Sequence, residues 1–257
     1  MTSDSVIIDL LIAFCIFAGL LACLETWFRF GKRARERQTE HPDQLATIQG
    51  ATLGLLALLL GFSFALAVGR FNDRVQLIVQ EANAIGTAWL RCDLLPVPQR
   101  DQVREALHHY TAQRIAFYDA RSPAAMAEAA VQSERLQTKV WAIVVNEAKI
   151  SPSLANVVLP PFNEMIDLHS TRLDAARRHM PGMLVALLLA CSLVSVASVG
   201  YGCGVAGKRN VVLTTALTFL IAGVLWAIVD MDHPRKGLIR VGDKPMQGLL
   251  RQLTKSP

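Results

Sequence analysis

Thr52–Leu95 reads TLGLLALLLGFSFALAVGRFNDRVQLIVQEANAIGTAWLRCDLL. Up to Gly69 it carries no charge. From Arg70 onward it is polar and amphipathic. Proline first appears at Pro96, so nothing between the two halves breaks a helix. As one helix the stretch is about 65 Å long at 1.5 Å per residue. A bilayer core takes up roughly 30 Å of that. The sequence therefore predicts a helix, continuous from about Ala51 to Leu95, that crosses a membrane and carries on into water. Gly69 is its weakest point, because glycine costs about 1 kcal/mol against alanine in a helix.

The rest of the composition agrees. Of 257 residues, 52% are hydrophobic and 18% charged, with a mean hydropathy of +0.34. The apolar residues come in continuous blocks, which indicates membrane helices rather than the alternating strands of a barrel. Four blocks qualify: Val6–Phe28, the Gln44–Gly69 run with Ala51–Gly69 as its densest part, Met180–Gly207, and Asn210–Val229. Acidic Asp4 and Asp9 precede the first block and basic residues follow it. This is the reverse of a signal peptide, so the first span is expected to be retained. The fold class expected is an all-α integral membrane protein with four transmembrane helices and a helical extramembrane domain between the second and third. By position, residues 1–69 hold the first two spans and a basic loop. Residues 70–180 form the extramembrane domain, 181–230 the last two spans, and 231–257 a tail.

Charge sets the expected sidedness. Arg29, Lys32, Arg33, Arg35 and Arg37 follow the first span, and Lys208 and Arg209 join the third to the fourth. Short basic loops stay in the cytoplasm. Both termini and the central domain are then expected outside, in the periplasm of a bacterial inner membrane that the chain crosses several times. Glu25 can pair with Arg29 one turn on. Asp9, near the outer end of its span, reads as a solvated end residue.

The central domain reads as helical throughout. Pro96-Val97-Pro98 is expected to turn, followed by a helix from Asp101 to Asp119. Ser122-Pro123 supplies a cap with proline in the first turn and opens a helix to about Lys149. Ser151-Pro152 repeats the signal in a shorter segment, which Pro160-Pro161 is expected to end. Leu77, Ala84, Ala88 and Leu95, with Ile78, Ile85 and Cys92 beside them, form a packed stripe. Acidic and basic residues nearly balance here, which argues against a nucleic-acid surface.

Little points to catalysis. Asp167 and His169 are two apart and diverge on a helix. Asn163, Asp167 and Thr171 share one face, His169 and Arg172 another, as in hydrogen-bonded helix contacts. There is no nucleophile elbow, zinc-protease motif or phosphate loop, and His108-His109 stands alone. The five cysteines lack metal or redox spacing and read as small buried residues. Asp230, Asp232 and His233 offer few ligands for a hard cation and read instead as a polar exit from the last span. No enzyme activity, metal or cofactor is expected. The partners expected are the lipid bilayer and further copies of the chain, not nucleic acid. Gly54, Ala57, Gly61, Ala65 and Gly69 recur at three- and four-residue intervals. Such small stripes let membrane helices touch closely, which makes Gly61, Ala65 and Gly69 helix-packing candidates, within one protomer or between protomers.

Two segments carry a resemblance. Leu60-Gly61-Phe62-Ser63-Phe64-Ala65-Leu66-Ala67-Val68-Gly69-Arg70-Phe71 resembles the second helix of bestrophins. The pattern Glu81-Ala82-Asn83-Ala84-Ile85-Gly86-Thr87-Ala88-Trp89-Leu90-Arg91 is more specific. With Asp93-Leu94-Leu95-Pro96, and Asn163-Glu164 through His169 to Arg172, it looks like the bacterial bestrophin-like family over nearly the whole chain. Bestrophins are pentameric ion channels, mostly for anions, whose second helices line a hydrophobic neck. The resemblance makes Phe62 a neck aromatic, with Leu58 and Gly54 one and two turns earlier where the family pattern is bulkier. Asp230 and Asp232 alone do not match the family's acidic calcium clasp. The resemblance implies a cytosolic central domain, whereas the basic loops imply the opposite. The expectation is an oligomeric ion channel of the bestrophin-like type. The alternative is a membrane sensor or interaction subunit whose helical domain acts through a partner.

Overall fold

The computed structural model describes residues 3–36, 42–120, 122–233 and 238–255. Arg37 of the basic run and residues 234–237 of the tail lie outside them. Every regular element among the described residues is helical: α1 Ser3–Glu36, α2 Pro42–Arg91, a 3-10 turn Cys92–Leu94, α3 Val97–Asp119, α4 Pro123–Ile150, α5 Pro152–Arg177, α6 Gly182–Ala206, α7 Val211–Asp232 and α8 Lys244–Lys255. Among the described residues four stretches are long and apolar enough to cross a membrane: Ile7–Glu36, Leu45–Leu94, Pro152–Ala206 and Val211–Asp232. The chain forms two compact units, residues 1–71 with 179–240, and 72–178 with 241–257. Helix α2 runs without a break past Gly69 and supplies residues to both.

In the first unit Leu20, Leu24, Leu56, Leu60, Leu188, Val196, Ile221 and Leu225 form the core. α1 and α6 approach backbone to backbone. A Cβ on Gly204 would lie 2.7 Å from the Lys32 amide nitrogen, and closer still to the Phe28 carbonyl. Only glycine permits that approach. α2 joins this bundle through polar contacts as well: Ser195 Oγ donates to the Thr52 carbonyl at 3.2 Å, and Gln49 Nε2 to that of Ser198. Asn210 caps α7, its Oδ1 accepting from the Leu213 amide at 3.2 Å.

The far end of α7 uses its acids as caps. Asp230 accepts from the amides of Leu238 and Ile239 at 2.9 and 2.8 Å. Asp232 accepts from the Met180 amide at 2.9 Å and lies 3.7 Å from Arg70. Two acids that read as a polar exit thus close backbone donors. Among the described residues no group of His, Cys, Asp and Glu could hold a metal ion. Asp9 departs from its reading as a solvated end residue. It is buried in the first unit, because most of the short side chain is covered where it stands.

In the second unit Ile78, Ile85 and Ala88 of α2 and Cys92 of the 3-10 turn pack with Val103, Leu107 and Tyr110 of α3, Val140 and Val144 of α4, and Phe162 and Met165 of α5. Leu77, also expected in that stripe, is only partly buried. Met246, Leu249 and Leu253 line the buried face of α8, which packs on α3. Ser122 caps α4 as expected, its Oγ accepting from the Ala125 amide at 3.2 Å. Arg74 closes the end of α5, donating to the carbonyls of Ala175 and Arg178 at 3.2 and 2.8 Å.

Two proline readings are corrected. α3 begins at Val97, not Asp101, because Pro98 falls in the first turn, where its missing N–H is not needed. α5 runs through Pro160 and Pro161 to Arg177. Each proline leaves the carbonyl four residues earlier, at Asn156 and Val157, without a helical donor. Those two residues line an open cleft of about 420 Å³ with Thr87, Arg91 and Glu164, where water can satisfy the carbonyls. Burial of Val158, Pro161, Phe162 and Met165 then holds the helix together.

Candidate functional site

From Leu53 to Gly69 α2 is uncharged and apolar on nearly every side, so hydropathy does not say which face packs. At about 100° per residue, Leu56, Leu60, Ser63 and Ala67 share one side, and all four are buried. Gly54, Leu58, Gly61 and Ala65 fall on the opposite side, with Phe62 and Gly69 at its edge. All six are exposed. Phe62 is 63% and Leu58 55% exposed. No atom lies within 4 Å of a Cβ built on Gly54, Gly61 or Gly69. The pore candidates and the helix-packing candidates thus occupy one open face, and the glycines that meet neighbouring helices within this unit lie instead between α1 and α6 and, at Gly202, between α6 and Gln49 of α2.

A second feature lies buried in the other unit. Glu81, on the packed face of α2, is wholly enclosed. Its Oε1 accepts from Arg114 Nε of α3 at 2.8 Å and from Tyr110 Oη at 2.9 Å. Its Oε2 accepts from Arg114 Nη2 at 3.3 Å and from Arg172 Nη1 of α5. Gln137 Nε2 of α4 donates to Tyr110 Oη at 3.1 Å. The single Tyr110 proton goes to Glu81, so His169 Nδ1, 3.3 Å away, must be the donor to Tyr110 Oη. The guanidinium of Arg172 lies over the Tyr118 ring at 4.5 Å, and that of Arg114 over Phe117 at 5.4 Å.

Electrostatics follows from this geometry. Burial works to raise the Glu81 carboxyl, but Arg114 and Arg172 outweigh it and hold it below its ordinary value. Burial, with Glu81 beside it, pushes the Tyr110 hydroxyl well up. Burial, followed by Arg114, pushes His169 down to about 4. The cluster ties α2, α3 and α5 together with ionic hydrogen bonds, and Gln137 adds α4 through Tyr110. It presents no nucleophile beside a base.

His169 and Arg172 do share a hydrogen-bonded face, as their spacing suggests. Glu81, Arg114 and Tyr110 escaped sequence reading. The available signal was Glu81 itself, a lone acid on the packed stripe between Ile78 and Ile85.

Fold and open face define an all-helical membrane protein. Its sequence matches the model of the Bestrophin-like domain over residues 16–246, and the chain belongs to that family. Among solved structures, it is similar to a point variant of a bacterial Bestrophin homolog from Klebsiella pneumoniae, with a TM-score of 0.68 at 12% identity over 96% of this chain and 97% of that one. A second structure of a Klebsiella pneumoniae Bestrophin homolog gives 0.65 at 14% identity, over 93% and 94%. Such identities bear on the fold alone. No curated protein matches the sequence.

Proposed function

We propose that the protein is a homo-oligomeric ion channel of the bestrophin type, a pentamer by family likeness, with the second helices gathered around a central axis. The observation that carries this reading is the open face of α2. Leu58 and Phe62 are exposed beside Gly54, Gly61 and Ala65, while the opposite face holds the protomer together. Around an axis, those apolar side chains make a throat that gates by dewetting, and the small residues let neighbouring helices approach. The second unit is the helical extramembrane domain between the second and third spans. The basic loops support its placement in the periplasm of a bacterial inner membrane.

Purified protein in liposomes, assayed for anion and cation flux, tests the reading. Flux above that of empty liposomes is the expected result. Its absence for every ion tried removes the channel and leaves an interaction subunit acting through a partner.

A further inference from the structure

Two basic clusters far apart in sequence meet at one end of the first unit. The backbones of α1 and α6 touch where Gly204 meets Phe28 and Lys32. One turn on, Gly207 has φ 68° and no side chain, and the Arg35 guanidinium lies against it. Lys208 follows Gly207 directly in the chain, so Lys32 and Arg35 of α1 stand next to the backbone that carries it. Two neighbouring cations, Arg29 and Arg209, are already used, and exposed Arg33 follows Lys32 on α1. Arg29 Nε donates to Glu25 Oε1 at 2.9 Å, and Arg209 Nη1 to Glu25 Oε2 at 2.7 Å. Lys32, Arg35 and Lys208 are exposed and have no acidic partner among the described residues.

We propose that these three side chains bind the headgroup of an anionic phospholipid. Depth and composition both favour a lipid. Trp27 and Phe30 are exposed, with ring centroids 5.8 Å apart, and Trp27 meets Tyr201 edge-on at 6.2 Å. Exposed aromatic rings of this kind sit at the membrane–water boundary. Lys32 is five residues beyond Trp27, about 7.5 Å along the helix. The headgroup layer is roughly 5–8 Å deep on each side, so the cations stand at phosphate height. A free anion would use the charges and leave the aromatic collar idle, whereas a phospholipid uses both. The proposal rests on the membrane-spanning reading and not on ion conduction.

The test is made on the full chain in a non-ionic detergent. Phosphatidylglycerol, phosphatidylcholine and inorganic phosphate are titrated separately. Bound lipid is counted by native mass spectrometry, and thermal unfolding is followed in parallel. Phosphatidylglycerol is expected to bind more tightly than phosphatidylcholine, with phosphate alone giving no comparable shift. The triple variant Lys32→Gln/Arg35→Gln/Lys208→Gln should lose roughly a hundredfold in phosphatidylglycerol affinity, about fivefold for each cation near the surface. The control Lys139→Gln/Lys149→Gln, in the other unit, should lose nothing. If the triple variant does not fold, Lys208→Gln alone should still lose about fivefold. Equal binding of the two lipids, an equal shift with phosphate, or unchanged affinity in the variants would overturn the proposal. A protein that binds the lipid and passes no ions would sustain it and remove the channel reading.

Discussion

Arg114 Nε lies 2.8 Å from Glu81 Oε1, and neither side chain reaches solvent. The pair joins α3 to α2, and Arg172 brings α5 to the same carboxylate. Glu81→Gln would leave two buried guanidinium groups without a counter-charge. Breaking a buried pair in this way costs about 3–5 kcal/mol. Tyr110→Phe keeps the charges and removes the hydroxyl shared by Glu81, Gln137 and His169, at about 1–3 kcal/mol. Thermal or denaturant unfolding of the two variants should rank them in that order, and equal stability of Glu81→Gln and wild type would refute the structural role.

Acid should weaken the same cluster in two stages. In an unfolded chain His169 takes a proton near 6.5, but in the fold only near 4. Between those values the unfolded state holds the extra proton, so stability falls as pH falls from about 6.5 toward 4. Glu81, with a lowered folded value, contributes stability that is present above its unfolded value of 4.5 and lost as pH falls through the folded one. His169→Gln should flatten the first slope and keep the second. Melting temperatures measured from neutral pH to below about 4 check both.

Two glycines should respond in opposite ways to alanine. On Gly204 the new methyl group meets backbone atoms of Phe28 and Lys32, which cannot move aside without separating α1 from α6. Overpacking of this kind costs about 1–3 kcal/mol. On Gly61 it meets nothing within 4 Å, so the protomer should hold its stability and any change should appear in assembly. Unfolding and size-exclusion measurements on the two variants separate these effects.

Cys92 should be inert in the folded protein. It is fully buried, its Sγ donates to the Ala88 carbonyl at 3.2 Å, and burial pushes its thiol up to about 12. A membrane-impermeant maleimide should label it only after denaturation. Sidedness therefore needs an exposed reporter such as Asn83→Cys. Labelling of that variant from outside intact cells is expected, and labelling only after permeabilisation would put the domain in the cytoplasm.

Phe62→Ala should leave folding nearly unchanged, within about 1 kcal/mol, because the ring is 63% exposed on the protomer. In a channel it widens and wets the throat and raises flux. An unchanged flux in liposomes that conduct would take Phe62 out of the neck.

The sequence by itself determined the spans and most of the other helices, but not α8, which lies in what reads as a tail. Uncharged runs marked the spans, the absence of proline carried α2 as far as Arg91, and Ser122-Pro123 marked the start of α4. These signals act within a few turns of chain, through hydropathy, dihedral restriction and capping, and need no distant partner. It misjudged Pro160-Pro161 because the compensation, a cleft for the freed carbonyls and burial on α5, depends on packing. Tertiary structure alone decided which side of α2 stays open, since a stretch apolar on nearly every side has no polar face to betray it. It alone joined Glu81 to Arg114 and Arg172, which lie 33 and 91 residues away, and turned Asp230 and Asp232 into caps. A buried charge takes its meaning from the partner that neutralises it, and chain spacing carries no record of which helix brings that partner.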